Sequence, residues 1–540
     1  MRHLFIRGSY KPLGVSGESM IEAMLSLKPE IYGSIADPEK VELNGLFYIF
    51  QRLPKGIEEC RYIKLISREG FENSGFKPIV PSRRKRNCYR VDEEQMFVEI
   101  TRGGSDIYDI LTHLTFMYIE AEKIRRNSID SKGRKNRARI MLEEVYHQLK
   151  EDNEINIEIG LTYLSTVLGR TYEEVSIAYE KFEKEKDVNN LFHIAYWLGT
   201  LSIDEYLYQK DREISFSSQL RDMLGHHVYG EKWAKNIKAI LIEKNWLERP
   251  IHIISANLHS IMNCFYARSA LSATVGKQSI MSLAEVLSTP ENTELRKEVE
   301  NFALNQGMIA IDDTSGTNIG VQIFDTSSLD IDSLPEELNF KAFSSKNDYP
   351  IIMVMDYAFG EQAYETMDEL LKPISIGGVK KKLKIKSINI MGKAGILVGN
   401  KGDIMIPTAH VFEGTADNYP LENDLKAEHF KNSELGVYAG TMITVLGTSL
   451  QNKDILEYFL KSSWAAVGLE MEGAHYQKAI QAAVKIRNSV ENNLKLRYAY
   501  YASDNPLETG STLASGSLGL DGVKPTYLIT IEMLKGCFQI

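Results

Sequence analysis

Residues Gly468–Tyr476 read GLEMEGAHY, a strand running straight into a helix, with Glu470, Met471 and Glu472 at the junction and Gly473 behind them. A carboxylate placed there can accept hydrogen bonds from two adjacent hydroxyls. A thioether beside it packs on a flat face without competing for those donors. The competing account is a plain helix start, where carboxylates meet the positive end of the helix dipole. Taken alone, the stretch divides evenly between the two.

Its neighbours narrow the choice. Downstream, Tyr498–Pro506 reads YAYYASDNP, a β-rich run that ends in Ser503 and Asp504. An aspartate after an apolar strand is more often a turn or helix-start residue, but here it follows the first motif in order. Upstream, Ile390–Leu397 reads IMGKAGIL and Lys401–Pro407 reads KGDIMIP. Gly392, Lys393, Ala394 and Gly395 suit a tight turn whose exposed N–H groups could approach a ligand.

Around these motifs, from residue 249 onward, short Ile- and Val-rich runs alternate with helical patterns. Strands are expected at Ile251–Ser255, Met308–Ile311, Ile351–Met355, Ile385–Ile390, Asp403–Ile406, Met442–Leu446 and Leu496–Ala502. Helices fit Ser260–Ala273, Glu361–Leu371, Asp454–Lys461, Ala474–Asn488 and Thr526–Lys535, and the polar Ser344–Tyr349 reads as a surface loop. Such alternation specifies an α/β domain with a mixed or parallel sheet. Residues 1–248 instead read as a mainly helical domain. Ser105–Lys123 carries apolar residues at helical spacing with Ser105 as N-cap, and further helices are expected over 135–151, 172–186 and 188–201.

Composition sets the outer bounds. The chain has 540 residues, 43% hydrophobic and 25% charged, and its formal net charge is −10. Two or three soluble domains are the expectation. The acidic balance argues against a nucleic-acid binder. No run approaches the ~18 apolar residues of a membrane span, and the N-terminus lacks a signal-peptide core. A cytoplasmic protein without a membrane partner is expected. The four cysteines, Cys60, Cys88, Cys264 and Cys537, form no C-x-x-C pair and read as reduced thiols. The histidines show no H-x-x-x-H or H-E-x-x-H pairing, so no metal is assigned. The one dense basic run, SRRKR at Ser82–Arg86, reads as a solvated loop, with a regulatory anion site as the lesser reading.

The ordered set G-x-A-G, G-D-I-x-I-P, E-M-E-G and S-D resembles the purine nucleoside phosphorylase/nucleosidase superfamily, and most of all the C-terminal domain of bacterial AMP nucleosidases. The resemblance covers residues 249–540 and hardly touches 1–248. It implies a phosphorylase-type mixed sheet flanked by helices. Glu472 would bind the ribose hydroxyls, Met471 would lie on the sugar, and Asp504, with Ser503 beside it, would protonate or hydrogen-bond purine N7 as the base leaves. In AMP nucleosidases an N-x-H sequence follows the first strand. Asn257 and His259 match it, and backbone donors at the helix start there would suit a phosphate. Asn505-Pro506-Leu507 matches the continuation of their S-D step.

Departures from the pattern leave three points open. The loop Asn257–Asn263 holds no carboxylate, where related nucleosidases orient water with a Glu, so phosphate could be the nucleophile. Lys393 stands where small or polar residues are usual, and it could pair with phosphate or reach to solvent. Leu450 and Gln451 stand where base-stacking aromatics often sit in relatives, as part of the base site. The expected reaction is cleavage of AMP to adenine and ribose 5-phosphate, by a homo-oligomer that needs no cofactor. Inorganic phosphate stands as a possible co-substrate or effector. Phosphorolysis of a purine nucleoside is the first alternative, and a non-catalytic nucleotide sensor the second. The intact Glu472/Asp504 pair weighs against the sensor.

Overall fold

The computed structural model describes residues 8–151, 156–276, 278–447, 451–508 and 518–539. The chain divides into two compact units, one of residues 1–226 with 449–452 and the other of 227–448 with 453–540.

The first unit holds helices α1 (Val15–Leu27), α2 (Leu43–Phe50), α3 (Gly103–Ser128), α4 (Arg137–Lys150), α5 (Ile157–Leu168), α6 (Tyr172–Glu183), α7 (Leu191–Tyr208) and α8 (Ser218–Met223). The helical reading of this region omits a sheet. Strands β1 (Ser9–Tyr10), β2 (Tyr62–Ile66), β3 (Cys88–Arg90), β4 (Gln95–Glu99) and β5 (Glu213–Phe216) form five strands in the order β1-β5-β2-β4-β3. They are two to five residues long, too short for alternation to stand out. Helix α3 carries the core through Ile110, Leu111, Leu114, Phe116 and Ile124. It starts at Gly103 with Arg102 at the N-cap, so Ser105, the expected cap, is a buried residue inside the first turn.

The basic run Ser82–Arg86 also differs from the expected solvated loop. Arg83 and Lys85 are exposed, whereas Arg86 is buried, with Nε on Asp106 Oδ1 at 2.7 Å and Nη2 on Asp109. Arg84 binds Asp109 through two nitrogens at 2.8 and 3.0 Å. Both carboxylates come from the first turns of α3, and a buried guanidinium is tolerated only when so paired.

The second unit begins at His227, ahead of the change in texture at residue 249. Helix α9 (Val228–Glu243) turns Trp233, Ile237 and Leu241 into the same core as Ile251 and Ile253. The strands are β6 (Ile251–Ser255), β7 (Ile309–Ile311), β8 (Val321–Asp325), β9 (Ile351–Met355), β10 (Ile374–Ile376), β11 (Val379–Lys381), β12 (Ile385–Ile396), β13 (Ile404–Phe412), β14 (Asn418–Pro420), β15 (Val437–Thr444), β16 (Ala466–Glu470) and β17 (Lys495–Asp504). All but β10 and β11, which pair with each other, join one mixed ten-stranded sheet. Helices α10 (Leu258–Ala270), α11 (Ile280–Ser288), α12 (Thr293–Asn305), α13 (Gln362–Leu370), α14 (Lys453–Lys461), α15 (Gly473–Gln481) and α16 (Val523–Phe538) accompany it. Helices α11 and α12 and strands β8, β10, β11 and β14 are not among the elements expected from the sequence.

Neighbouring residues of β9 show why the central strands read as unbroken apolar runs. Ile351 and Met353 pack into one core with α9, while Ile352 and Val354 pack into another with α10 and α16. A strand covered on both faces alternates direction without alternating polarity.

Part of the sheet closes on itself. β12 pairs with β17 in parallel and β17 with β13 antiparallel; β13 pairs with β15 and β15 with β16 in parallel; β16 returns antiparallel to β12. Inside this five-stranded ring a Cβ at Gly468 would lie 2.4 Å from Met405 Sδ and 2.7 Å from the Gly395 carbonyl, which explains a bare backbone at the start of the motif.

All four cysteines are buried and free. Among the described residues no helix is long and apolar enough to cross a membrane.

Candidate active site

The expected turn at Gly392–Gly395 is not a turn. These residues run through the second half of β12 as extended strand. Their glycines serve close packing instead, since a Cβ on Gly392 would press on the Tyr500 ring at 3.2 Å. The strand's end is where the motifs meet. Gly395 pairs with Leu469 of β16 on one edge and with Asp504 of β17 on the other. The E-M-E and S-D segments therefore flank one residue.

A bulge adjusts this meeting point. Ala394 pairs with Ala502 and Gly395 with Asp504, so Ser503 is the extra residue. An inserted residue re-aims the side chains that follow it, a device common beside active sites. The Ser503 hydroxyl donates to the Asp504 carboxylate and lies 3.2 Å from the Ala394 carbonyl. Asp504 is buried.

The two glutamates of the motif divide their work. Glu470 is buried; its carboxylate accepts from the backbone N–H groups of Glu472 and Gly473 and from the Thr444 hydroxyl. Burial lifts it to about 7 against those hydrogen bonds. The plain helix-start role thus belongs to Glu470. Glu472 is half-buried and reaches away from its own helix, where Oε1 accepts the Gly360 N–H at 2.9 Å.

A cavity of about 260 Å³ gathers Met471, Glu472, Ser503 and all four residues of Gly392–Gly395. It also brings in residues that the sequence reading did not single out: Ser255, Tyr357, Tyr476 and Tyr500. The Tyr476 hydroxyl lies 2.9 Å from Ser255 Oγ. Tyr500 ends a chain of fixed polarity. Gln477 Nε2 donates to the Pro420 carbonyl at 2.6 Å, leaving Oε1 to accept from His410 Nδ1 at 2.7 Å. Nε2 of His410 then accepts from the Tyr500 hydroxyl at 3.0 Å. Burial holds the imidazole down to about 4, so it is neutral at physiological pH. In the sequence Tyr500 stands out only as part of the β-rich run YAYYASD.

Gly473 locks this chain against the motif. A Cβ there would lie 2.4 Å from His410 Cδ2 and 2.5 Å from the Tyr500 oxygen. Gly473→Ala is expected to cost about 1–3 kcal/mol of stability, the usual cost of overpacking a filled core. Denaturant unfolding measures this. A change within about 0.5 kcal/mol, the range of harmless surface substitutions, would show that the pair does not confine Gly473.

The residues expected at a phosphate fall into a larger neighbouring cavity of about 770 Å³, lined by Asn257, His259 and Lys393 among others. Lys393 lines both cavities. The backbone donors expected after Asn257 are already in use, because its own Oδ1 accepts from His259 N at 3.2 Å and Ser260 N at 2.9 Å. What this loop offers an anion is therefore the exposed His259 side chain. Gln451 belongs to the first unit, where its carbonyl accepts the Glu30 N–H at 3.0 Å. Leu450 lies outside the described residues.

The profile of a family described as "Family of unknown function (DUF6909)" matches residues 18–304 and 282–539. No curated protein matches the sequence. Among solved structures, a futalosine hydrolase mutant of Helicobacter pylori strain 26695 is 11% identical, covering 54% of this chain and 99% of its own, with a TM-score of 0.31. The Campylobacter jejuni 5′-methylthioadenosine/S-adenosylhomocysteine nucleosidase is 13% identical over 54% of this chain and 99% of its own, at 0.30. The corresponding Neisseria meningitidis enzyme, in complex with methylthio-immucillin-A, is 9% identical over 53% and 99%, at 0.31. At these scores nothing about the chemistry of this chain follows from the likeness.

Proposed function

We propose that this chain, which belongs to the family of unknown function DUF6909, cleaves the N-glycosidic bond of a purine nucleotide, AMP to adenine and ribose 5-phosphate. The observation that supports this reading most is the pairing of Gly395 with Leu469 on one edge and Asp504 on the other. It brings the E-M-E and S-D segments together beside a small cavity that Met471, Glu472 and Ser503 line, with the buried Asp504 next in the chain to Ser503.

In this reading Glu472 accepts the 2′- and 3′-hydroxyls and Met471 packs on the sugar. The C1′–N9 bond breaks with its electron pair going to the base, and Asp504 gives a proton to N7. Water adds its oxygen to C1′, and the proton it loses restores Asp504. The 5′-phosphate extends into the larger cavity, towards Lys393 and His259.

Phosphorolysis of a purine nucleoside is the second reading, on one observation. The Asn257–Asn263 loop has no carboxylate, and the Asn257 amide oxygen is held by its own helix. Neither a loop carboxylate nor a free Asn257 amide oxygen is there to orient water.

Incubation with AMP, adenosine and inosine, each with and without phosphate, tests both readings through free base and the sugar product. AMP hydrolysis independent of phosphate is expected. Lys393→Ala and His259→Ala should each raise KM for AMP about tenfold or more, the worth of a charged hydrogen bond, and barely change adenosine. Equal losses on both substrates would remove these residues from a 5′-phosphate site. Ribose 1-phosphate as product would establish phosphorolysis instead.

A further inference from the structure

The strands that carry the candidate active site hold a second cavity at their other end. Ser387 and Gly395 are eight residues apart on β12, so the two places lie about 25 Å apart at ~3.3 Å per residue. This cavity measures about 670 Å³, a size that suits a small-molecule ligand.

Four cationic side chains line it, Lys386, Lys495, Arg497 and Lys535, against two carboxylates, Asp424 and Glu532. The carboxylates are shared out. Asp424 takes Arg497 at 2.6 Å and Lys495 at 3.4 Å, and Glu532 takes Lys535 at 2.6 Å. Lys386 meets Glu491 at 3.0 Å, outside the lining. Arg497 is buried and rigidly set. Nη1 donates to Asn389 Oδ1 at 3.3 Å, and a Cβ on Gly536 would stand 2.4 Å from its Cζ.

An independent observation points to an acceptor. His252 also lines the cavity and is 1% exposed. Its Nδ1 lies 2.7 Å from Ser387 Oγ, an oxygen that already accepts from Asn389 Nδ2 at 2.9 Å. The serine proton therefore goes to Nδ1, a better acceptor than Cys537 Sγ at 3.9 Å, and Nε2 carries the ring hydrogen. Among the described residues this Nε2 has no hydrogen-bond partner. Buried donors are rarely left so, because desolvation without a partner is costly.

We propose that this cavity binds a small phosphate-bearing anion, held by Lys386, Lys495, Lys535 and Arg497, with the His252 Nε2–H as a neutral donor. A phosphate offers several acceptor oxygens and enough charge to offset the cationic surplus. The site is separate from the substrate phosphate placed near Lys393.

The test is calorimetric titration of the full chain with inorganic phosphate, pyrophosphate and ADP at constant ionic strength, with chloride as control. Lys386→Ala/Lys495→Ala removes two side chains that are 32% and 63% exposed, so the fold is kept; thermal unfolding of each variant verifies this. Wild type and Lys393→Ala should bind equally, and the double variant at least about tenfold more weakly. The tighter of pyrophosphate and ADP identifies free phosphate or a nucleotide as the source. Equal binding by wild type and the double variant, loss in Lys393→Ala alone, or an equal response to chloride would each overturn the proposal. None of these outcomes depends on whether the chain cleaves AMP.

Discussion

Asp504→Asn is expected to lower turnover by about 10²–10⁴-fold, the usual worth of a positioned general acid, and to leave substrate affinity nearly unchanged. The substitution keeps shape and size. Asn Oδ1 can still accept from the Ser503 hydroxyl, and the backbone pairing with Gly395 does not involve the side chain. What disappears is a proton that can be handed to N7 as the purine leaves. A purine departing unprotonated from C1′ is a poor anion, so the barrier for breaking the bond rises while the ground state is hardly touched. Single-turnover rates and equilibrium binding on the same substrate separate the two effects. A wild-type rate in Asp504→Asn would remove the residue from catalysis, whatever its position.

Glu472→Gln is expected to erode the preference for ribose over 2′-deoxyribose, and Glu470→Gln is not. The distinction rests on what each carboxylate already holds. Glu470 is committed to Thr444 and to the first N–H groups of α15. Glu472 uses Oε1 for the Gly360 N–H and turns towards the small cavity. A glutamine keeps one carbonyl oxygen for Gly360 but presents an NH₂ to a pair of hydroxyls, a donor facing donors. A charged hydrogen bond is worth about 1.5–3 kcal/mol, so the ratio of kcat/KM for the two sugars should fall about 10- to 100-fold. An unchanged ratio in Glu472→Gln would take Glu472 out of the sugar site. A fall of the same size in Glu470→Gln would mean that the roles of the two carboxylates have been exchanged.

What local chemistry specifies was legible in the chain. The runs IHIIS and IIMVM could only be buried strands, and both are. The junction of strand and helix at GLEMEG follows from the same residues that announce it, because β16 ends at Glu470 and α15 begins at Gly473. Asparagine at residue 257 is a helix start on local grounds, and its side chain caps the helix.

Features that depend on partners far along the chain were not legible. Glycines in G-K-A-G read as a turn because glycine permits one; β12 instead runs straight, since β16 and β17 supply hydrogen-bond partners on both edges. β1 pairs residues 9 and 10 with 215 and 214, a separation no periodicity spans. Arg86 reads as solvated until Asp106 and Asp109 come within reach, since burying a charge depends entirely on the ion that meets it. The choice of Glu472 over Glu470 for the sugar comes from the family resemblance, since two identical side chains two residues apart carry no local difference. Both line the small cavity; the tertiary structure separates them by bringing the Gly360 N–H, 112 residues away in the chain, to Glu472, while Glu470 holds the N–H groups of Glu472 and Gly473 beside it.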